Sequence, residues 1–304
     1  MTYAVVFPGQ GAQAVGMADA WTTHPAGRKV LDAASAAIGR DVVEGCRDER
    51  ALATTGFAQP ALLACDVAAF RVLDAEGAGP WAGAAGHSLG EFAALVAADS
   101  LTLADALEVV VARGRAMQDA SDERPGAMAA LLGVESDEAE ALCDEAREGD
   151  VLLVANRNSP VQAVVSGSVA AVERLEALAR ARRVRAVRLP VAGAFHSPLM
   201  EPAVAAIDAA LDRVPIRTPR FPIAENVTGA LVEDPDELGA LLRRHVVSPV
   251  RWEDCARSLA AVGATTIVEA GVGDTLTKLQ RRIDPDVRAI AIGSPEDASE
   301  LATS

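Results

Sequence analysis

Residues 86–90, Gly-His-Ser-Leu-Gly, constrain the fold of this 304-residue chain more than any other segment. They have the form G-x-S-x-G, in which a serine occupies a sharp turn between a strand and a helix. Residues 81–85 form a short apolar run whose side chains after Trp81 are small, and residues 92–98 are apolar at helical density, so the flanking sequence fits both elements. The motif predicts Ser88 as a nucleophile exposed at a helix N-terminus. The alternative interpretation of the motif alone is a glycine turn in which Ser88 caps a helix.

Short apolar segments alternate with amphipathic helical patterns along the chain. This alternation indicates an α/β fold, in which helices cover both faces of a sheet. The first strand is expected at residues 3–7, before the turn Pro8-Gly9, and the polar tail after residue 294 is expected to fray. The helical patterns cover residues 27–38, 60–74 and 103–120, and further strands are expected near 221–224 and 265–269.

The middle of the chain has a different pattern, which predicts a second, smaller domain. Its elements follow the order β-α-β-β-α-β, which is the ferredoxin-like arrangement. We therefore expect a small ferredoxin-like domain over residues 125–190, inserted into a large domain that comprises residues 1–124 and 191–304. The strands are expected at 127–134, 151–156, 162–166 and 185–190, and the helices at 136–148 and 169–182.

Composition and charge exclude several classes of partner. The net charge of −15, from 43 acidic and 28 basic side chains, argues against nucleic acid and anionic membranes, because the mean field would repel either one. The four cysteines are far apart and have neither zinc-site nor disulfide-framework spacing, which fits a reducing cytoplasm. No stretch reaches the ~18 uninterrupted apolar residues of a membrane span, and the N-terminus lacks signal-peptide features. We expect a soluble, cytoplasmic, metal-free protein.

A serine nucleophile needs a base within hydrogen-bond reach, and the chain has four histidines. His24 and His245 lie in polar helical surroundings and are expected at the surface, and the His87 side chain is expected to point away from Ser88. His196 is the candidate base, because an apolar strand is expected to end just before it, at the start of the next helix. No Asp or Glu is placed to orient its imidazole, so we expect a main-chain carbonyl in that role.

Nine segments, in chain order, resemble the malonyl-CoA:acyl carrier protein transacylases of fatty-acid synthesis and the acyltransferases of polyketide synthases. The resemblance implies an α/β-hydrolase-like large domain with an inserted ferredoxin-like small domain, in agreement with the patterns above. The matching segments are 7–13 (FPGQGAQ), 59–62 (QPAL), 86–91 (GHSLGE), 113–118 (RGRAMQ), 156–160 (NRNSP), 193–196 (GAFH), 226–227 (NV), 248–252 (SPVRW) and 269–273 (EAGVG).

The resemblance implies a ping-pong acyl transfer that needs no metal or redox cofactor. Ser88 would attack the thioester of malonyl-CoA, and His196 would take its proton and later activate the phosphopantetheine thiol of an acyl carrier protein. The backbone N–H groups of Gln10 and Leu89 would form the oxyanion hole. The main-chain carbonyl of Arg251 would orient the histidine.

The resemblance also implies the residues that select the acyl group. Arg113 would grip the malonyl carboxylate through two parallel hydrogen bonds, whereas Arg115, two residues further along the helix, would be solvated. The Phe195 ring would crowd an α-methyl group and so favour malonyl over methylmalonyl. Gln59 and Asn156 match pocket positions of the family, or are buried polar residues that satisfy local backbone.

The expected partners are a coenzyme A thioester and an acidic acyl carrier protein, and the chain is expected to be a monomer. A basic cluster after residue 179 is either a docking surface for the carrier or a solvated helix end. The alternative functions are a proofreading acyl hydrolase, a transferase for a different acyl unit, and a docking module without activity. The residues leave open whether the pathway is fatty-acid or polyketide synthesis. The cluster consists of Arg180, Arg182, Arg183 and Arg185.

Overall fold

The computed structural model describes residues 2–191 and 193–303, which form two β-sheets and the helices that cover them. In chain order the strands are β1 (Tyr3–Phe7), β2 (Trp81–Gly86), β3 (Gly126–Leu132), β4 (Leu152–Ser159), β5 (Gln162–Ser168), β6 (Arg185–Arg188), β7 (Ile223–Ala224), β8 (Leu231–Val232), β9 (Thr266–Ala270) and β10 (Arg288–Ile292).

The helices occupy the predicted positions and several more. The α-helices are α1 (Pro25–Ile38), α2 (Val42–Cys46), α3 (Glu49–Leu52), α4 (Thr55–Ala75), α5 (Gly90–Ala97), α6 (Leu103–Glu123), α7 (Ser136–Arg147), α8 (Val169–Ala181), α9 (Glu201–Leu211), α10 (Pro235–Arg244), α11 (Trp252–Ala261), α12 (Thr275–Ile283) and α13 (Pro295–Thr303). Short 3₁₀ helices lie at Ala20–Thr23, Pro198–Met200 and His245–Val247.

The large sheet has the order β10-β9-β1-β2-β7-β8, and its strand pairs are parallel except for β7 with β8. Strands β1 and β9 are buried at every position because helices cover both faces. Val5 and Phe7 pack towards α4 and α5, whereas Ala4 and Val6 pack towards α11 and α12. Since β1 and β2 are parallel neighbours, the loops that follow them meet at one edge of the sheet.

The small sheet has the order β4-β5-β3-β6 and is antiparallel throughout, which is the ferredoxin-like arrangement. Ala129 and Leu131 of β3 pack against α7 and α8 in a core of their own, and Met128 and Ala130 face the large sheet. The predicted fold class is therefore confirmed. The domain boundaries at residues 125 and 190 stay a prediction.

Helix α4 is the one described helix that is long and apolar enough, by length and composition, to cross a membrane. In the apolar 18-residue stretch of this helix, 89% is buried inside the protein, as is typical of a core helix. Its apolar character is thus explained by burial against α1, α5 and α6.

The prediction that the tail frays after residue 294 is wrong, because residues 295–303 form α13. Pro295, Ala298 and Leu301 recur every three residues, and this apolar stripe is buried. The helix packs against α4 and β10. The residues between these three positions are mostly polar, so the segment as a whole resembles a polar tail in the sequence.

Candidate active site

Ser88 lies in the turn between β2 and α5 with a left-handed φ of +52°, a conformation that serine adopts only when its surroundings impose it. The flanking glycines are required by close backbone approach. A Cβ on Gly86 would overlap the backbone of Gly90, and a Cβ on Gly90 would overlap the carbonyl of Phe7. The predicted strand, turn and helix are therefore present.

The Nε2 atom of His196 lies 2.7 Å from the Oγ atom of Ser88. The prediction of a strand directly before His196 is wrong, because residues 193–197 form turns and bends. This segment packs tightly on α6, where a Cβ on Gly193 would overlap the hydroxyl of Ser121. His196 itself has a φ of +56°, so both members of the Ser-His pair lie on left-handed backbone.

The Nδ1 atom of His196 faces two main-chain carbonyl oxygens, those of His245 and Ser248, each at 3.0 Å. Carbonyls only accept hydrogen bonds, so they fix the proton on Nδ1 and leave Nε2 free to accept the proton of Ser88. The expectation that the carbonyl of Arg251 performs this role is wrong. Beyond Ser248 the backbone pairs with other segments: Val250 bridges to Asn156, and the N–H of Arg251 donates to the carbonyl of Asn226.

The imidazole of His196 is neutral in the free protein. Burial and, secondarily, the positive charge of Arg113 lower its pKa to about 3. Hydrogen bonding to the His245 and Ser248 carbonyls opposes this shift without cancelling it. At neutral pH the group is therefore a proton acceptor next to the Ser88 hydroxyl.

Arg113 is 1% exposed, and one of its terminal nitrogens lies 3.1 Å from the Oγ of Ser88. Its other terminal nitrogen donates to Gln59 Oε1 at 2.7 Å. Gln59 in turn donates to Gln10 Oε1, and Gln10 donates to Thr55 Oγ1. Burial lowers the pKa of Arg113 to about 10, so the guanidinium stays charged at pH 7. Within residues 2–191 and 193–303 it forms no ion pair, and its Nε atom has no hydrogen-bond partner.

The backbone N–H groups of Gln10 and Leu89 occupy the two adjoining loops. Gln10 follows β1, and Leu89 directly precedes α5 after Ser88. Neither N–H has a hydrogen-bond acceptor in the part of the chain that the structure describes. Both donors are thus available at the edge of the sheet where Ser88 is held.

A cleft of about 230 Å³ opens above Ser88 between the two sheets. Phe195, Asn156 and Gln59 line it together with Ser88 and His196. Among the described residues, the Asn156 Oδ1 atom is buried without a partner and its Nδ2 lies 3.3 Å from His87 Nε2, so the side chain contacts another side chain rather than local backbone. Further lining residues come from the loop after β1 (Pro8, Gly9, Gln10, Gly11, Ala12), from the small sheet (Met128, Ala130, Gln162, Val164) and from α12 (Leu276, Leu279).

Three residues outside the predicted site contact it. His87 is half-buried and lines the cleft; its ring lies 5.5 Å from that of Trp252, and its Nε2 lies 2.9 Å from Asn158 Oδ1 of β4. Asn226 accepts a hydrogen bond from the Ser88 N–H at 2.7 Å. The hydrogen bonds that His87 and Asn226 make explain why polar side chains lie at these positions.

His245 is the third of these residues, and its expected place at the surface is wrong. It is 1% exposed and stacks edge-on against His196, with ring centroids 5.3 Å apart. The spacing Leu238, Leu241, Leu242 and His245 places it on the buried stripe of α10 and the following turn. This periodicity could have revealed its burial from the sequence. His24, by contrast, is a half-buried cap of α1.

The remaining predicted residues lie away from the cleft. Arg115 is exposed on α6, as expected. Arg182 pairs with Glu145, which reduces its availability to a partner. Arg180, Arg183 and Arg185 are exposed and form no ion pair with the other described residues. No three His, Cys, Asp or Glu side chains are grouped as a metal site in residues 2–191 and 193–303.

Comparison with known proteins places these features in a family. The sequence profile of the family described as "Acyl transferase domain" matches residues 4–284. The chain is 39% identical to the malonyl CoA-acyl carrier protein transacylase of Escherichia coli (strain K12) over 299 residues, 96% of each chain. It is 36% identical to that of Bacillus subtilis (strain 168) over 300 residues, 96% of this chain and 94% of the relative.

Solved structures agree with this result. The acyl-carrier-protein S-malonyltransferase of Burkholderia pseudomallei 1710b is similar with a TM-score of 0.95 and 36% identity over the full length of both chains. A malonyl-transacylase in complex with its type II polyketide synthase acyl carrier protein is similar with a TM-score of 0.96 and 32% identity, over 100% of this chain and 99% of that one. The resemblance found in the sequence motifs is confirmed, and this chain belongs to the acyl transferase family that includes these malonyl transacylases.

Proposed function

We propose that this chain transfers a malonyl group from malonyl-CoA to the phosphopantetheine thiol of an acyl carrier protein, through an acyl-enzyme on Ser88. The names of its relatives and the solved complex with a carrier protein support this substrate and this partner. The reaction needs no metal or redox cofactor, and we propose a cytoplasmic location. The pathway served is fatty-acid or polyketide synthesis.

The observation that carries the proposal is the buried guanidinium of Arg113 next to the Ser88 hydroxyl. A buried cation without a carboxylate partner is unfavourable, and a malonyl carboxylate would supply that partner with good geometry. An acetyl group would not. The arrangement therefore favours an acyl group that carries a free carboxylate close to the carbon under attack.

In the first half-reaction, His196 Nε2 takes the proton of Ser88 as Oγ attacks the thioester carbon. The N–H groups of Gln10 and Leu89 would stabilise the oxyanion, and each donor would lower the activation barrier by about 3 kcal/mol. The C–S bond then breaks, and the imidazolium of His196 returns the proton to the leaving coenzyme A sulfur. In the second half-reaction the same imidazole takes the proton of the phosphopantetheine thiol as the sulfur attacks the acyl carbon. The ester C–O bond then breaks, and the imidazolium of His196 returns the proton to Ser88 Oγ.

We propose that residues 125–190 form the small domain, and that its basic surface receives the carrier. Arg180, Arg183 and Arg185 are exposed and unpaired among the described residues, as a surface for an acidic protein requires. Their reversal to Glu should raise the KM for the carrier and leave the KM for malonyl-CoA unchanged. Arg28→Glu, at an exposed position on α1, is the matched control. Equal effects on both KM values would reject this docking surface.

Intact-mass measurement tests the function itself. The protein is mixed with malonyl-CoA, with and without phosphopantetheinylated carrier protein, and Ser88→Ala is the control. We expect a malonyl adduct that persists without carrier, moves to the carrier when it is added, and is absent from the variant. An adduct that is lost to water at the same rate with or without carrier would instead identify a hydrolase. A panel of other acyl-CoA thioesters tests whether malonyl is the preferred group.

A further inference from the structure

We propose that Asn226 is a positioning residue, which holds the nucleophile turn and the base in register with each other. The inference rests on the proposed role of Ser88 as nucleophile. Asn226 is fully buried and lies just after β7, the neighbour of β2 in the large sheet. It does not line the cleft, and its contact with Ser88 is through the backbone N–H rather than through the reacting Oγ atom.

The carboxamide of Asn226 binds the backbone of the turn at two points. Its Oδ1 accepts from the Ser88 N–H at 2.7 Å, and its Nδ2 donates to the Gly86 carbonyl at 2.8 Å. The Gly86 carbonyl and the Ser88 N–H lie on either side of His87, and Ser88 is the residue with a φ of +52°. A left-handed serine persists only when its surroundings over-determine it, and the carboxamide supplies two of the constraints. The direction of the Ser88 Oγ atom depends on that backbone conformation.

The same carboxamide reaches the base through His245. His245 Nε2 lies 3.3 Å from Asn226 Oδ1, and the carbonyl of His245 accepts from His196 Nδ1 at 3.0 Å. Because Oδ1 only accepts, the His245 proton resides on Nε2. One side chain thus links the segment that carries Ser88 to the segment that orients His196.

The surroundings explain why this position needs an amide. Asn226 must donate and accept at the same time, and it lies among buried carboxyl groups. Glu91 of α5 accepts from the Asn226 N–H, Glu225 precedes it in the chain, and the ring of His245 faces it. An ionised carboxylate here would lack the donor for Gly86 and would add a negative charge beside Glu91 and Glu225.

The need for a side chain that both donates and accepts can be tested with Asn226→Asp and Asn226→Ala. The carboxyl group that N226D introduces can donate to Gly86 and accept from Ser88 when it is protonated, but it can only accept when it is ionised. We expect N226D to malonylate Ser88 nearly as fast as the unmodified protein at pH 5 and at least tenfold more slowly at pH 8. N226A should be at least tenfold slower at both pH values, with the KM for malonyl-CoA changed less than twofold.

The measurement is the single-turnover rate of Ser88 malonylation, followed by quenched intact mass at pH 5 and pH 8. Each rate is divided by that of the unmodified protein at the same pH, which removes the effect of groups that both proteins share, Glu91 among them. Thr228→Val is the matched control, because Thr228 donates to Glu225 in the same loop but touches neither Ser88 nor His196. We expect it to react at the unmodified rate.

Two results would overturn the positioning role. One is an unmodified rate for both N226D and N226A, and the other is a loss in N226D that is equal at both pH values and is shared by T228V. An unmodified protein that forms no adduct at all would instead refute the proposed function, so the two failures are distinguishable.

Discussion

Glu91 gives a prediction about stability that can be worked out from the structure. The side chain is buried one helical turn after Ser88, and burial together with the charge of Glu225 raises its pKa to about 8. The folded protein therefore holds a proton at pH 7 that the unfolded chain releases. Glu91→Gln keeps the shape and the acceptor for the Asn226 N–H and removes the titration.

The magnitude follows from the two pKa values. Below pH 4.5 Glu91 is protonated in both the folded and the unfolded protein, so its titration does not change the free energy of unfolding. As the pH rises from 4.5 towards 8, only the unfolded chain loses the proton, so the free energy of unfolding falls. With a folded pKa of about 8 against 4.5 for the ordinary group, the cost is about 3 kcal/mol at pH 7 and about 5 kcal/mol above pH 9.

Denaturant unfolding of both proteins between pH 4 and pH 9 measures this difference. We expect the advantage of Glu91→Gln to grow from near zero at pH 4 to several kcal/mol at pH 9. Glu138→Gln, at an exposed position on α7, is the control and should show no such trend. A difference between the Glu91 variant and the unmodified protein that does not change with pH would refute the reasoning.

Three further predictions concern the reaction. Arg113→Met should lower kcat/KM for malonyl-CoA by about 100-fold or more, as loss of a buried charge partner does, while Arg115→Met, exposed on the same helix, should leave it unchanged. Because the pKa of His196 is lowered to about 3, kcat/KM for Ser88 malonylation should be flat from pH 7 to pH 5, below the pKa of about 8 of Glu91, and an inflection near 6.5 would contradict a neutral buried base. Phe195→Ser should raise the methylmalonyl-to-malonyl ratio of kcat/KM about tenfold, measured by competition, since one methyl group in an apolar pocket is worth about 10- to 200-fold at most.

Local patterns predicted most of the fold because their causes are local. The glycines at 86 and 90 are needed by a close approach within one turn, and the alternation of strands and helices around them is visible in the sequence. The ferredoxin-like order of the small sheet also follows from element order alone. The pairing of Ser88 with His196 could be proposed because the chain has few histidines and α/β sheets gather their loops at one edge.

The parts that the sequence did not reveal depend on contacts between distant segments. The carbonyls that orient His196 belong to residues 49 and 52 positions away, and main-chain atoms have no residue-type signature. Asn226 acts across 138 residues on the Ser88 N–H. The polar neighbours of His245 favour a surface position, although its spacing from the leucines of α10 places it inside.

The buried charge of Arg113 affects both the stability of the free protein and its choice of acyl group. Burial lowers the pKa of Arg113 from 12.5 to about 10, which corresponds to about 3 kcal/mol against the charged form. The guanidinium nevertheless stays charged at pH 7, because a pKa of about 10 is still about three units higher. The free protein therefore retains an unfavourable buried cation that a substrate carboxylate can relieve and an acetyl group cannot. The same positive charge helps to keep His196 unprotonated, so one buried arginine both favours the malonyl group and keeps the base ready to accept the Ser88 proton.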